Sequence, residues 1–138
     1  MKLVVDASVA IKWFVGAFNE QHVAQAEAVA EAIERGETEL LAPGHWTAEV
    51  IAVLARRNPQ LVDRALLALH DMRPVLVQGT AVLKRAADMA IMLDHHLFDT
   101  LYHAVALEQG ATLITADEAY FAKAKDLGSI MRLADFAV

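Results

Sequence analysis

The sequence predicts an α/β fold in which helices cover both faces of a parallel sheet, and three observations predict it. Short apolar, often β-branched runs alternate with helical segments from one end of the chain to the other. Two of those runs end in an aspartate, Leu3-Val4-Val5-Asp6 and Thr112-Leu113-Ile114-Thr115-Ala116-Asp117. As parallel strands they bring both carboxylates to one sheet edge, where open α/β sheets hold their ligands. A hydrophobic content of 57% is ample for a layered core.

The elements follow in order. Residues 2 to 5 read as the first strand and 7 to 14 as a short helix. Over residues 20 to 35, Val23, Ala26, Ala30 and Ile33 recur at helical spacing while Glu27, Glu31 and Glu34 fall on another, solvated face; Gly36 stops this helix. Glu39 to Ala42 form a second strand, broken by Pro43-Gly44. A helix over about 45 to 57 ends at Asn58-Pro59, and another spans 60 to 72. Pro74 precedes a third strand at Val75-Leu76-Val77, and a long helix covers about 80 to 93. Asp99 to Gln109 is helical up to Gly110, residues 112 to 115 are a fourth strand, and 118 to 126 a helix closed by Gly128. Ile130 to Leu133 form a last edge strand. Crossovers between parallel strands are then right-handed.

A chain of 138 residues fits a single domain over 1–138, since one core usually serves about 100 to 200 residues. Its positive mean hydropathy does not make it a membrane protein, because no apolar run approaches the roughly 18 residues that span a bilayer. The N-terminus enters a strand directly, without a secretory leader, and cysteine is absent. A cytoplasmic location is therefore expected, with no disulfides and no thiolate zinc site. The net charge of −6 argues against broad electrostatic attraction to nucleic acid. The basic groups Arg56-Arg57, Arg64, Arg73, Lys84-Arg85, Lys123 and Lys125 form either a local patch or ordinary solvated helix pairs.

Four acids stand out. Asp6, Asp99 and Asp117 each precede a helix and suit an N-cap, a role compatible with a second carboxylate oxygen facing a ligand. Glu49 interrupts an uncharged helical stretch, with Trp46, Val50, Ala52 and Val53 around it. An ionised carboxylate there must be paired, protonated or bound to a cation. Four carboxylates in one crevice raise one another's pKa unless a cation neutralises them. Hard oxygen donors suit Mg²⁺ or Mn²⁺, and such a metal bridging to a phosphate makes phosphodiester hydrolysis the natural chemistry. Ser8 and Thr115 either support the site with hydroxyls or serve their helix and strand. A rival triad is His96, Asp99 and His103, spaced i, i+3 and i+7; it requires a helix running unbroken through His96. Trp13, Phe14 and Phe18 either fill the core or line a groove for a partner helix.

Taken together, Val5-Asp6-Ala7-Ser8, Pro43 through Trp46 with Glu49-Val50, Phe98-Asp99-Thr100-Leu101-Tyr102 and Leu113-Ile114-Thr115-Ala116-Asp117 resemble a PIN-domain ribonuclease. More narrowly, the chain resembles the VapC toxins of type II toxin–antitoxin pairs over essentially its whole length, including Leu133-Ala134-Asp135-Phe136. The resemblance places the family's acidic quartet, both catalytic and metal-binding, on Asp6, Glu49, Asp99 and Asp117, with Ser8 and Thr115 in supporting positions. One departure is Ala52, where the family often has asparagine; another is the His95-His96 pair, for which the residues offer no account.

The resemblance implies a three-layer α/β/α sandwich with about five parallel strands and an endoribonuclease dependent on Mg²⁺ or Mn²⁺. It further implies cleavage of transfer or ribosomal RNA that arrests translation, homodimerisation, and inhibition by a cognate VapB antitoxin. Contact with operator DNA would come only through the antitoxin. The alternatives are an inactive PIN-like module that only binds a partner and an aspartate-dependent phosphatase. The phosphatase wants a second acid two residues after Asp6, where this chain has Ser8. A phosphoacceptor receiver domain wants a lysine after a late strand, which here ends in Thr-Ala-Asp.

Overall fold

The computed structural model describes residues 1–16 and 21–138. Phe18 and the first residue of the predicted 20–35 helix therefore lie outside the described residues. The chain runs β1 (Lys2–Val5), α1 (Ala7–Ala10), α2 (Lys12–Val15), α3 (Val23–Glu34), β2 (Glu39–Ala42), α4 (Trp46–Arg57), a 3-10 turn, α5 (Val62–Asp71) and β3 (Val75–Leu76). It continues with α6 (Thr80–Leu93), α7 (Leu97–Gln109), β4 (Thr112–Thr115), α8 (Glu118–Ala124), a 3-10 turn, β5 (Ile130–Arg132) and a final 3-10 turn, Leu133–Asp135.

Among the described residues the sheet has five strands, all parallel, in the order β3-β2-β1-β4-β5. Val5 of β1 pairs with Ile114 of β4, so the two strands end level with each other. The central strands read as unbroken apolar runs because both faces are covered: Leu3, Val4, Val5, Leu113 and Ile114 are buried. Edge strand β3 instead exposes Val75 and Leu76. Helix α7 lies across β1, β2 and β4, with α6 packed along it; elsewhere α1 packs on β4 and α4, α2 on α3, and α4 on α5. The result is a three-layer α/β/α sandwich.

The helices follow their apolar stripes. Helix α6 buries Val82, Ala86 and Met89, one face at helical spacing. Helix α3 buries Ala26, Val29 and Ile33, with Glu27, Glu31 and Glu34 exposed. Helix α7 is buried continuously from Thr100 to Ala106, as a helix held between a sheet and a second helix must be. Gly110 ends it in the left-handed conformation, at φ +63°.

The helix expected over 20 to 35 spans Val23–Glu34, and two further boundaries differ from expectation. The predicted 7–14 helix is two single turns separated at Ile11, in a segment whose β-branched Val9, Ile11 and Val15 are weak helix formers that pack into the core. Helix α7 starts at Leu97 with extended His96 as its N-cap, so Asp99 lies inside the first turn and does not open the helix. No described helix is long and apolar enough to cross a membrane.

Candidate functional site

The strand order reverses between β1 and β4: β2 and β3 extend the sheet to one side of β1, and β4 and β5 to the other. Neighbouring loops diverge at such a switch point and leave a crevice beyond the strand ends. Asp6 follows the last residue of β1, and Asp117 comes two residues after β4. The topology thus sets both on this crevice.

Asp6 stands at the helix-start position of α1 but makes no side-chain cap there. Its carboxylate is held sideways, by the hydroxyls of Ser8 and of Thr115, the latter at 2.5 Å. Each hydroxyl is itself oriented. Ser8 Oγ accepts the Ala116 N–H at 3.0 Å and Thr115 Oγ1 accepts the Asp117 N–H at 3.0 Å, leaving each hydroxyl proton for Asp6. Ser8 and Thr115 are therefore donors that prefer an ionised Asp6. Burial works the other way and pushes the Asp6 carboxyl up to about 6, against the two hydroxyl bonds and with the help of the neighbouring Asp99 charge.

Glu49 projects from the first turn of α4, half-buried, and accepts the Tyr102 hydroxyl at 3.1 Å. Burial raises its pKa, the Tyr102 bond opposes this, and Asp99 adds to it. One turn before it, His45 Nε2 lies 3.7 Å from Glu49 and 3.0 Å from the Phe98 carbonyl, with its ring 4.7 Å from that of Tyr102. Burial lowers the His45 pKa, so this imidazole is a weak counter-charge. Ala52 is exposed on α4.

Asp99 and Tyr102 share a face of α7 at i and i+3. Asp99 Oδ2 lies 2.8 Å from His95 Nε2. Asp117 does cap its helix: Oδ1 accepts the Tyr120 N–H at 3.0 Å, which leaves its other oxygen available. Donor atoms of His95, Asp99 and Asp117 all lie within 4.8 Å of one another. Asp6 and Glu49 stand outside that tight group but within its field. The Tyr102 hydroxyl is raised by burial and by the charges of Glu49, Asp6 and Asp99, and Tyr120 by burial and by Asp99, Asp6 and Asp117. Each of the four carboxylates thus acts by its charge on Tyr102, Tyr120 or both.

Among the described residues, no lysine or arginine bridges any of the four; their basic neighbours are His45 and His95. A set of hard oxygen donors that, among the described residues, no lysine or arginine bridges fits a divalent metal of the Mg²⁺ or Mn²⁺ type.

The structure does not assemble the His96–Asp99–His103 triad. His96 precedes the helix, while His103 is buried between the Tyr120 hydroxyl (2.9 Å) and the Gly128 carbonyl (2.7 Å), a core role. The sequence marked the His95-His96 pair as unusual and carried His45 and Tyr102 inside its motifs, but gave none of the three a role. His45 at i−4 and Tyr102 at i+3 from the acids were available as spacings, whereas His95 lies in a turn whose geometry the sequence does not give. Lys84 pairs with Asp88 along α6, as solvated helix pairs do, and Arg85 pairs with Glu108 across to α7. Away from the acids, Trp13 and Phe14 are half-buried; they pack on the core and also line an open cavity of about 670 Å³ with Ile33 and Met72.

No curated protein sequence matches the chain. Several solved structures match it in fold. VapBC-1 from nontypeable Haemophilus influenzae is similar at a TM-score of 0.69 and 20% identity, over 98% of this chain and 100% of that one. VapBC2 from Rickettsia felis, bound to a DNA fragment from its promoter, is similar at 0.65 and 10%, over 96% and 97%. VapC20 from Mycobacterium tuberculosis, a sarcin-ricin loop cleaving toxin, is similar at 0.61 and 17%, over 86% and 93%. The PIN domain family model matches residues 3–127, from β1 to the turn after α8. With that match over most of its length, the chain belongs to the PIN domain family.

Proposed function

We propose that this protein is a metal-dependent endoribonuclease, the toxin of a type II toxin–antitoxin pair, with Asp6, Glu49, Asp99 and Asp117 as its catalytic and metal-binding acids. The observation that carries the reading is the convergence of these carboxylates, from four separate segments, toward the sheet's switch point with no lysine or arginine bridging them among the described residues. The likeness to VapBC structures and to a sarcin-ricin loop cleaving VapC toxin supports it.

In this reading Ser8 and Thr115 keep Asp6 ionised and aimed, Tyr102 fixes the Glu49 rotamer, and Asp117 stays rigid through its bond to the Tyr120 N–H. Asp6, Glu49, Asp99 and Asp117 would hold Mg²⁺ or Mn²⁺, which would supply Lewis-acid activation of the nucleophile and of the phosphate. The substrate class is structured RNA, transfer or ribosomal, whose cleavage arrests translation. The chain acts as one cytoplasmic domain and forms a homodimer; exposed Leu83 and Ile91, two turns apart on α6, are apolar positions suited to such a contact. A VapB antitoxin neutralises it and brings the pair to operator DNA. The cavity beside Trp13 and Phe14, lined by the apolar Ile33 and Met72 and by the acids Glu27, Glu31, Glu34 and Asp71, suits an amphipathic antitoxin helix with basic flanks.

Incubating purified protein with total cellular RNA tests the activity. Discrete fragments are expected with Mg²⁺ or Mn²⁺, none with EDTA, and none from the Asp99→Asn variant. Cleavage that survives in folded Asp6→Asn or Asp99→Asn protein would remove these acids from the mechanism.

A further inference from the structure

His95 has no role in the reading above, yet several elements combine to hold it. It sits in the tight turn between α6 and α7, where Asp94 adopts the left-handed conformation and the His95 N–H donates to the Ala90 carbonyl at 3.0 Å. Its ring rests on Tyr120, with centroids 4.9 Å apart. Asp117, Tyr120 and Lys123 recur every three residues along the start of α8 and its cap, on one face. That face supplies an acid, a ring platform and a cation to the same small volume. Lys123 Nζ donates to the Asp94 carbonyl at 3.2 Å and lies 3.3 Å from His95 Nδ1.

An ammonium group has donors and no acceptor, so the imidazole nitrogen facing it must accept. The ring proton of His95 then sits on Nε2, which donates to Asp99 Oδ2 at 2.8 Å. We infer that His95, fixed as this tautomer by Lys123, is a positioning residue that orients the Asp99 carboxylate toward a bound metal and is not itself a ligand. The inference rests on the metal-site reading proposed above. Its physical basis is that partners of a ligating carboxylate set its rotamer, and their loss typically weakens metal binding about 10- to 100-fold.

Mn²⁺ titration followed by the electron paramagnetic resonance of the free ion tests it, with thermal unfolding to verify that each variant is folded. His95→Ala is expected to weaken Mn²⁺ binding tenfold or more, and His95→Gln, which keeps an N–H donor of similar reach, to restore most of it. Nitrogen modulation in the spin echo of bound Mn²⁺ is expected to be the same in wild type and His95→Ala. Unchanged affinity in folded His95→Ala protein overturns the inference, as does an imidazole signal that His95→Ala removes, which would make His95 a ligand. Asp99→Asn separates the two levels. If it binds Mn²⁺ like wild type, or if wild type binds none, the metal-site reading itself fails along with the inference.

Discussion

Asp6 is the residue where the demands of folding and of chemistry conflict most openly. Its folded pKa, pushed to about 6, lies above its ordinary 3.8. The folded state therefore holds the proton more tightly than the unfolded chain does. The stabilisation this gives is complete below pH 3.8 and is lost as pH rises through about 6, so ionised Asp6 leaves the metal-free protein about 3 kcal/mol less stable at neutral pH. Asp6→Asn should accordingly raise the melting temperature of the metal-free protein at pH 8, by the equivalent of about 1–3 kcal/mol. The gain should shrink as pH approaches 4, and the variant should neither bind Mn²⁺ nor cleave RNA. Melting curves of both proteins across this pH range check the sign. Mn²⁺ affinity of the wild type should rise with pH through about 6, because the ion needs Asp6 deprotonated. The acids were legible in the sequence because a carboxylate at a strand end or inside an apolar stretch has few structural excuses. Ser8 and Thr115 were legible only as neighbours; that each spends its lone pair on a backbone N–H and its proton on Asp6 is a property of the folded loop.

At the scale of elements, α7 does most to place the site, since it carries Asp99 and Tyr102 while lying across three strands. Its position against α6 is fixed in part by Thr100, which is fully buried and donates its one hydroxyl proton to the Ala86 carbonyl at 2.8 Å, with the Leu97 carbonyl 3.1 Å away. Thr100→Val keeps the shape and leaves the Ala86 carbonyl without that donor. It should cost about 1–2 kcal/mol, measurable by urea denaturation, and should lower Mn²⁺ affinity by shifting Asp99. The strands and the longer helices were readable from β-branched runs, apolar spacing and Gly or Pro stops. The start of α7 was not. Aspartate is the stronger capping residue, so the pattern favours Asp99 over His96 as the boundary, yet the chain begins the helix at Leu97. That two-residue error concealed His95, which reaches Asp99 only because a turn precedes the helix.

For the whole molecule, a net charge of −6 means that, in the proposed reading, RNA would be drawn in by a bound metal and by local contacts, without a broad positive field. The same acidity favours a basic partner segment. If the cavity beside Trp13 and Phe14 receives the antitoxin helix, Phe14→Ala should weaken the complex with the cognate antitoxin by tenfold or more, while RNA cleavage by the free toxin persists. Calorimetric titration of the antitoxin alongside a cleavage assay separates the two effects. The parallel order β3-β2-β1-β4-β5 is what makes one end of the sheet the site, since it alone sets Asp6 and Asp117 beside each other. Anomalous diffraction from crystals soaked in Mn²⁺ tests that arrangement most directly. A peak within coordination distance of the Asp6, Asp99 and Asp117 carboxylates is predicted. An intact crystal with no peak there, or with Mn²⁺ bound only elsewhere, would contradict a metal-dependent site at the switch point.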